Sequence, residues 1–137
     1  MFSLGQNNDE PQYSEESVCL RKITSKELCS AVLEVADSPG ERQRGLSERE
    51  YMPEHNGMLF IFDTPGKQCF WMKDTLIVLD MIWLDDSKTV TKIEPSVQPS
   101  SYPDTFCSDK SSDRYVIELN AGYTEKLGIK VGDILTF

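Results

Sequence analysis

Nine consecutive residues, Leu76-Ile77-Val78-Leu79-Asp80-Met81-Ile82-Trp83-Leu84, set eight apolar side chains around one carboxylate. The run is far shorter than the roughly 20 apolar residues that cross a bilayer as a helix, and its composition marks a buried strand. Alternation along a strand puts Asp80 on the face of Val78, Ile82 and Leu84, with Leu79, Met81 and Trp83 on the other. A carboxylate in that apolar company would cost several kcal/mol if left alone, so the fold has to supply it with a partner.

Shorter runs of the same character follow one another along the chain. Val18 to Ile23 and Ala31 to Val35, separated by Thr24-Ser25-Lys26-Glu27, read as a hairpin. Asp37-Ser38-Pro39-Gly40-Glu41 offers an N-cap, an early proline and an acidic first turn for a helix running to about Arg49. Met58 to Phe62 is a buried strand closed by the turn Thr64-Pro65-Gly66-Lys67, and Cys69 to Met72, Thr89 to Ile93, Tyr115 to Leu119 and Ile134 to Phe137 are further strands. Gly122 to Leu127 makes a second short helix ended by Gly128, with Asn120 placed to cap it. Glu94 to Arg114, interrupted by Pro95, Pro99 and Pro103, reads as a long surface loop held by Cys107. The fold class is therefore mainly β: an antiparallel sandwich or a partly closed barrel with two short helices.

Length and charge narrow the partners. The 137 residues fit one domain, here residues 18–137, behind a polar tail over 1–17 that is too poor in apolar groups to offset the entropy of ordering. The net charge of −9 opposes nucleic acid and anionic lipid alike, and a monomer is favoured. The first residues lack the basic patch and apolar stretch of an export signal. The expected location is extracytoplasmic, in the periplasm or cell envelope, if such a signal has been removed, and cytoplasmic otherwise. Cys19, Cys29, Cys69 and Cys107 show no C-x-x-C spacing, and His55 is the single histidine, so neither a metal nor any other cofactor is expected.

In an oxidising compartment four cysteines allow three disulfide patterns. Cys19 with Cys29 is the obvious pair, but a tight hairpin near Ser25 would set them diagonally or on opposite faces, which makes Cys107 as good a partner; Cys29 and Cys69 also read as small buried thiols.

Candidate partners for Asp80 are Lys73 and the arginines Arg42, Arg44 and Arg49. Lys73 lies in Phe70-Trp71-Met72-Lys73-Asp74-Thr75, whose aromatic groups would shield a charged head. A fixed carboxylate, a cation and a tryptophan wall make a plausible small-molecule cleft, with Arg42, Trp71, Lys73 and Asp80 as its binding residues. The plainer reading is an ion pair that fixes strand register, or an aspartate at a bulge. His55, in the turn Pro53-Glu54-His55-Asn56-Gly57, reads as a solvated loop residue. Trp71, Trp83, Phe60 and Phe62 read first as core.

Four segments together resemble the domain of unknown function 192 family. They are Glu34-Val35-Ala36-Asp37 through Arg44-Gly45-Leu46 and Arg49; Gly57-Met58-Leu59-Phe60 with Phe62, Phe70-Trp71-Met72-Lys73-Asp74-Thr75 and Leu79-Asp80; Tyr115 to Gly122; and Leu127 to Asp133. Asp74, Val78 and Ser47 depart from the family's usual Asn, Pro and Met. The resemblance implies a compact, mostly β fold of sandwich or jelly-roll type, often made with an export signal or lipoprotein anchor, and it carries no activity. It places Arg42, Lys73 and Asp80 within the family's motif.

Three functions remain open on these grounds. The first is an extracytoplasmic accessory module that binds a small polar or anionic ligand. The second is a hydrolase or lyase with Asp80 as general base and Lys73 or Arg42 stabilising negative charge. The third is a protein-interaction domain docking through the 94–114 loop.

Overall fold

A computed structural model describes the protein over residues 16–137, and the expected polar tail lies outside the described residues up to residue 15. In chain order the elements are β1 (Ser17–Lys22), β2 (Ala31–Ala36), α1 (Pro39–Arg44), β3 (Asn56–Gly66), β4 (Cys69–Trp71), β5 (Leu79–Asp85), β6 (Val90–Val97), β7 (Thr105–Cys107), β8 (Asp113–Asn120), α2 (Tyr123–Lys126) and β9 (Leu135–Thr136). Seven strands form one curled sheet in the order β6-β5-β8-β3-β2-β1-β9, and β4 pairs with β7 in a separate ribbon. The edges of the large sheet meet at one end, where Thr89 bridges Ile134 and Val90 N donates to Asp133 O at 2.8 Å. A half-barrel results, in agreement with the mainly β, partly closed architecture expected.

Every named strand pairing is antiparallel except β2 with β3, which run parallel because α1 and its flanking turns carry the chain back across the sheet. The helix is shorter than the sequence suggests. Ser38 and Glu41 form a capping box at its start, and Gly45 ends it at φ +51. A Cβ on Gly45 would stand 3.2 Å from Phe60 Cζ, so both backbone angle and space favour glycine there.

Alternation along β3, β5 and β8 sorts the core into two layers. Leu59, Ile82, Leu84, Ile117 and Leu119 fill one side with Leu20, Leu33 and Tyr123. Met58, Phe60, Met81, Trp83 and Val116 cover the other face with Met52 and Met72. The central strands are thus buried on both sides, which explains the near-continuous apolar runs. The strand after Lys73 starts only at Leu79: Thr75 N turns back onto Met72 O, and Leu76 is exposed.

The stretch 94–114 is not an unstructured loop. β6 continues to Val97, a single 3-10 turn follows at Pro99–Ser101, and β7 pairs with β4 so that Cys107 faces Cys69 across the ribbon. The disulfides are Cys69–Cys107 and Cys19–Cys29. The hairpin objection to Cys19–Cys29 fails because β2 begins only at Ala31, so Cys29 sits in a wide connection where strand alternation does not apply. Loop closure favours the longer bridge. Replacing Cys69 and Cys107 by serine together should lower unfolding free energy by roughly 4 kcal/mol, against about 3 for the Cys19–Cys29 pair, measurable by urea denaturation.

Candidate functional site

Asp80 is 1% exposed and alternation puts it on the face of Ile82 and Leu84. Its partners are backbone amides, which corrects the expectation of a clasping arginine or lysine. Oδ1 accepts from Ser96 N at 2.9 Å; Oδ2 accepts from Gly122 N and Thr124 N, each at 3.1 Å. The ladder between β5 and β6 slips between the pairs Leu79–Val97 and Met81–Glu94, leaving a bulge opposite Asp80 in which Ser96 adopts φ +52. Asp80 therefore pins that bulge with one oxygen and the start of α2 with the other. Asn120 is not the cap: its Nδ2 donates to the Met52 and Pro53 carbonyls, both at 3.0 Å.

The other expected site residues do gather. α1, the turn after it, β3, β4 and the Lys73–Thr75 turn enclose a cavity of about 690 Å³ lined by Arg42, Trp71 and Lys73 but not by Asp80. Arg42 is largely spoken for: Nη1 donates to Asp37 O at 2.7 Å and Ile61 O at 2.9 Å, and the guanidinium lies over the Phe62 ring. It fastens α1 to β3 and makes a cavity wall. Trp71 is 48% exposed rather than core, packs edge-on against Tyr102 at 5.2 Å, and carries Lys73 Nζ 5.7 Å from its ring centroid. Phe60 and Trp83 are core as expected.

Two cations on this cavity are unpaired. Among the described residues, neither Arg44 nor Lys73 has a hydrogen bond or salt bridge from its side chain to a protein group. Arg49, by contrast, makes a two-pronged pair with Glu34 at 2.6 and 2.9 Å. At the rim Glu48 and Asp74 both hold positive φ, and Glu48 N donates to Asp74 O at 2.7 Å. Strained non-glycine residues of this kind concentrate at ligand clamps and active sites.

The residue that sequence reasoning missed is Glu118. It lies on central strand β8, is 5% exposed, and lines the same cavity. Burial pushes its carboxyl up to about 8. The signal that drew attention to Asp80 is weaker here: Val116, Ile117 and Leu119 surround Glu118, but Asp113, Arg114 and Asn120 make the strand half polar. His55 is exposed as expected, with Nδ1 2.6 Å from the Tyr123 hydroxyl, which donates to Ser30 O. Among the described residues no cluster of His, Cys, Asp and Glu has metal-binding geometry, and no helix is long and apolar enough to cross a membrane.

Comparisons with known proteins agree with this architecture. The family model of domain of unknown function 192, described as "Uncharacterized ACR", matches residues 21–137. The crystal structure of a Sinorhizobium meliloti 1021 protein provisionally called a transcription regulator superposes with a TM-score of 0.81 at 31% identity, covering 93% of this chain and 96% of that one. A protein of unknown function from Novosphingobium aromaticivorans DSM 12444 gives 0.77 at 27% identity over 88% and 85%. No curated protein matches significantly.

Proposed function

The chain belongs to the domain of unknown function 192 family, and we propose that it is a non-enzymatic binding or accessory module that holds a small polar or anionic molecule in the cavity of Arg42, Trp71 and Lys73. The observation that carries this reading is the pair of unpaired cations, Arg44 and Lys73, on one concavity of a chain whose net charge is −9. An acidic protein repels anions at long range, so unpaired cations in a hollow create a local exception. The volume lies within the 300–1,000 Å³ or so of typical small-ligand sites, and aromatic walls beside a few polar groups are the usual lining. Two disulfides favour an oxidising, extracytoplasmic setting, and we take the working unit to be a monomer.

Asp80 has no part in this site beyond holding the sheet. Both its oxygens accept from backbone donors and it is 1% exposed, which favours the binding reading over Asp80 as a general base. The 94–114 stretch carries β7 and the Cys69–Cys107 disulfide, and docking through it stands as the second reading.

A thermal-shift screen of small carboxylates, sugars and peptidoglycan fragments should find a stabilising compound, worth about 2.7 kcal/mol at 100 times its dissociation constant. The shift should shrink in Lys73→Ala and in Arg44→Ala. Equal shifts in wild type and both variants would remove the cavity assignment.

A further inference from the structure

We propose that the Glu118 carboxyl is the inner recognition group of this cavity, donating its O–H to an acceptor oxygen of a small organic anion whose charge rests against Arg44 and Lys73. The inference rests on the cavity being a binding site, and adds to it a residue and a chemical class.

The argument begins with what Glu118 faces. In register across the sheet it lies between Met58 of β3 and Met81 of β5. One strand further out on the same row stand Glu34 of β2, opposite Met58, and Glu94 of β6, opposite Met81. Each of those acids has its own cation: Arg49 for Glu34, and Lys92 at 3.8 Å for Glu94. Along its own strand the neighbours on that face are Val116 and Asn120, whose amide is already donating to Met52 and Pro53. The charged groups that line the cavity with it are Arg42, Arg44, Glu48, Lys73 and Asp74. Among the described residues none of these gives the Glu118 carboxyl a hydrogen bond or an ion pair.

An acid 95% removed from water, opening on a hollow and lacking a partner, keeps its proton, because burial penalises the ion and no cation offsets it. It is then a hydrogen-bond donor with no protein acceptor among the described residues, and a bound acceptor can take that hydrogen bond. A carboxylic acid kept neutral at pH 7 for this purpose is an established way of recognising oxygen. The cavity consequently combines a buried neutral donor, Glu118, with the more exposed cations Arg44 and Lys73, and the Phe60 and Phe62 rings in its lining suit a carbon skeleton. A ligand ammonium at the floor would instead need the ionised acid, which the apolar surroundings oppose.

The test is isothermal titration of the full chain with 4-acetylbenzoate, whose ketone accepts but cannot donate, at pH 6.5 and pH 9. Affinity should fall about tenfold at the higher pH, because only the protonated fraction of an acid titrating near 8 binds. Glu118→Gln, which retains an N–H donor, should bind within about threefold of wild type at pH 6.5 and show no such fall. The inference is overturned if the fall persists in Glu118→Gln, if affinity rises with pH, or if 4-(aminomethyl)benzoate binds more tightly than the ketone. Lys73-dependent binding of a screened sugar with none of either benzoate would overturn the Glu118 assignment and leave the cavity reading standing. Absence of any Lys73- or Arg44-dependent binding would overturn both.

Discussion

Asp80→Ala should destabilise the protein by roughly 3–5 kcal/mol, the range seen when a buried charge and its partners are separated. The substitution orphans the amides of Ser96, Gly122 and Thr124 at once. Each loses a hydrogen bond to a charged acceptor, worth about 1.5–3 kcal/mol, and incomplete relaxation of the bulge limits the sum. Ser96 makes the effect steeper, since its φ of +52 is sustained only where a partner repays it. Asp80→Asn is the informative companion. It keeps one oxygen acceptor but turns an NH2 toward one set of amides, so it should recover only part of the loss. Urea unfolding at pH 7 checks both values. An Asp80→Ala loss below about 1 kcal/mol would mean that the bulge and α2 hold without their carboxylate.

That residue also shows where sequence reasoning stops. The greasy run around Asp80 sufficed to say that it is buried, which face it takes and that it needs a partner. The nature of the partner depended on a bulge two strands' length away in sequence and on Gly122 at φ +88, neither of which leaves a pattern in composition. Backbone amides are present at every position, so a carboxylate that caps them has no visible counterpart in the sequence, whereas a salt bridge would have.

The β content, the first hairpin and the strand-face alternation were legible because they follow from local periodicity. The parallel β2–β3 pairing was not, because the chain between those strands could equally have closed a hairpin or crossed over. Cys69 with Cys107 was hidden for a related reason: β4 and β7 form a ribbon of three residues each, below the length at which alternation can be recognised. In the candidate site the aromatic-lysine block pointed to the right region. Glu118 was passed over because its importance comes from lying on a central strand with the cavity on its open side, and strand order cannot be read from one chain's hydropathy.

Glu118 governs the second large effect, a fall in stability as pH rises. In the unfolded chain its carboxyl titrates near the ordinary 4.5, while burial raises it to about 8 in the folded protein. Between those values the native state binds the extra proton, so unfolding free energy decreases with pH across that window and is fully lowered above about 8. At 1.36 kcal/mol per pH unit the loss is on the order of 5 kcal/mol at most, and water entering the cavity beside the ion will reduce it. Glu118→Gln carries no titrating proton and should be flat where wild type slopes downward. The two proteins should therefore diverge most at pH 8–9, with the variant the more stable. Subtracting the two curves cancels His55 and every other group common to both. Denaturant midpoints for both chains at half-unit intervals from pH 5 to pH 9 give the comparison directly. Parallel curves would mean that Glu118 is ionised in the native state at neutral pH, and would overturn the raised value.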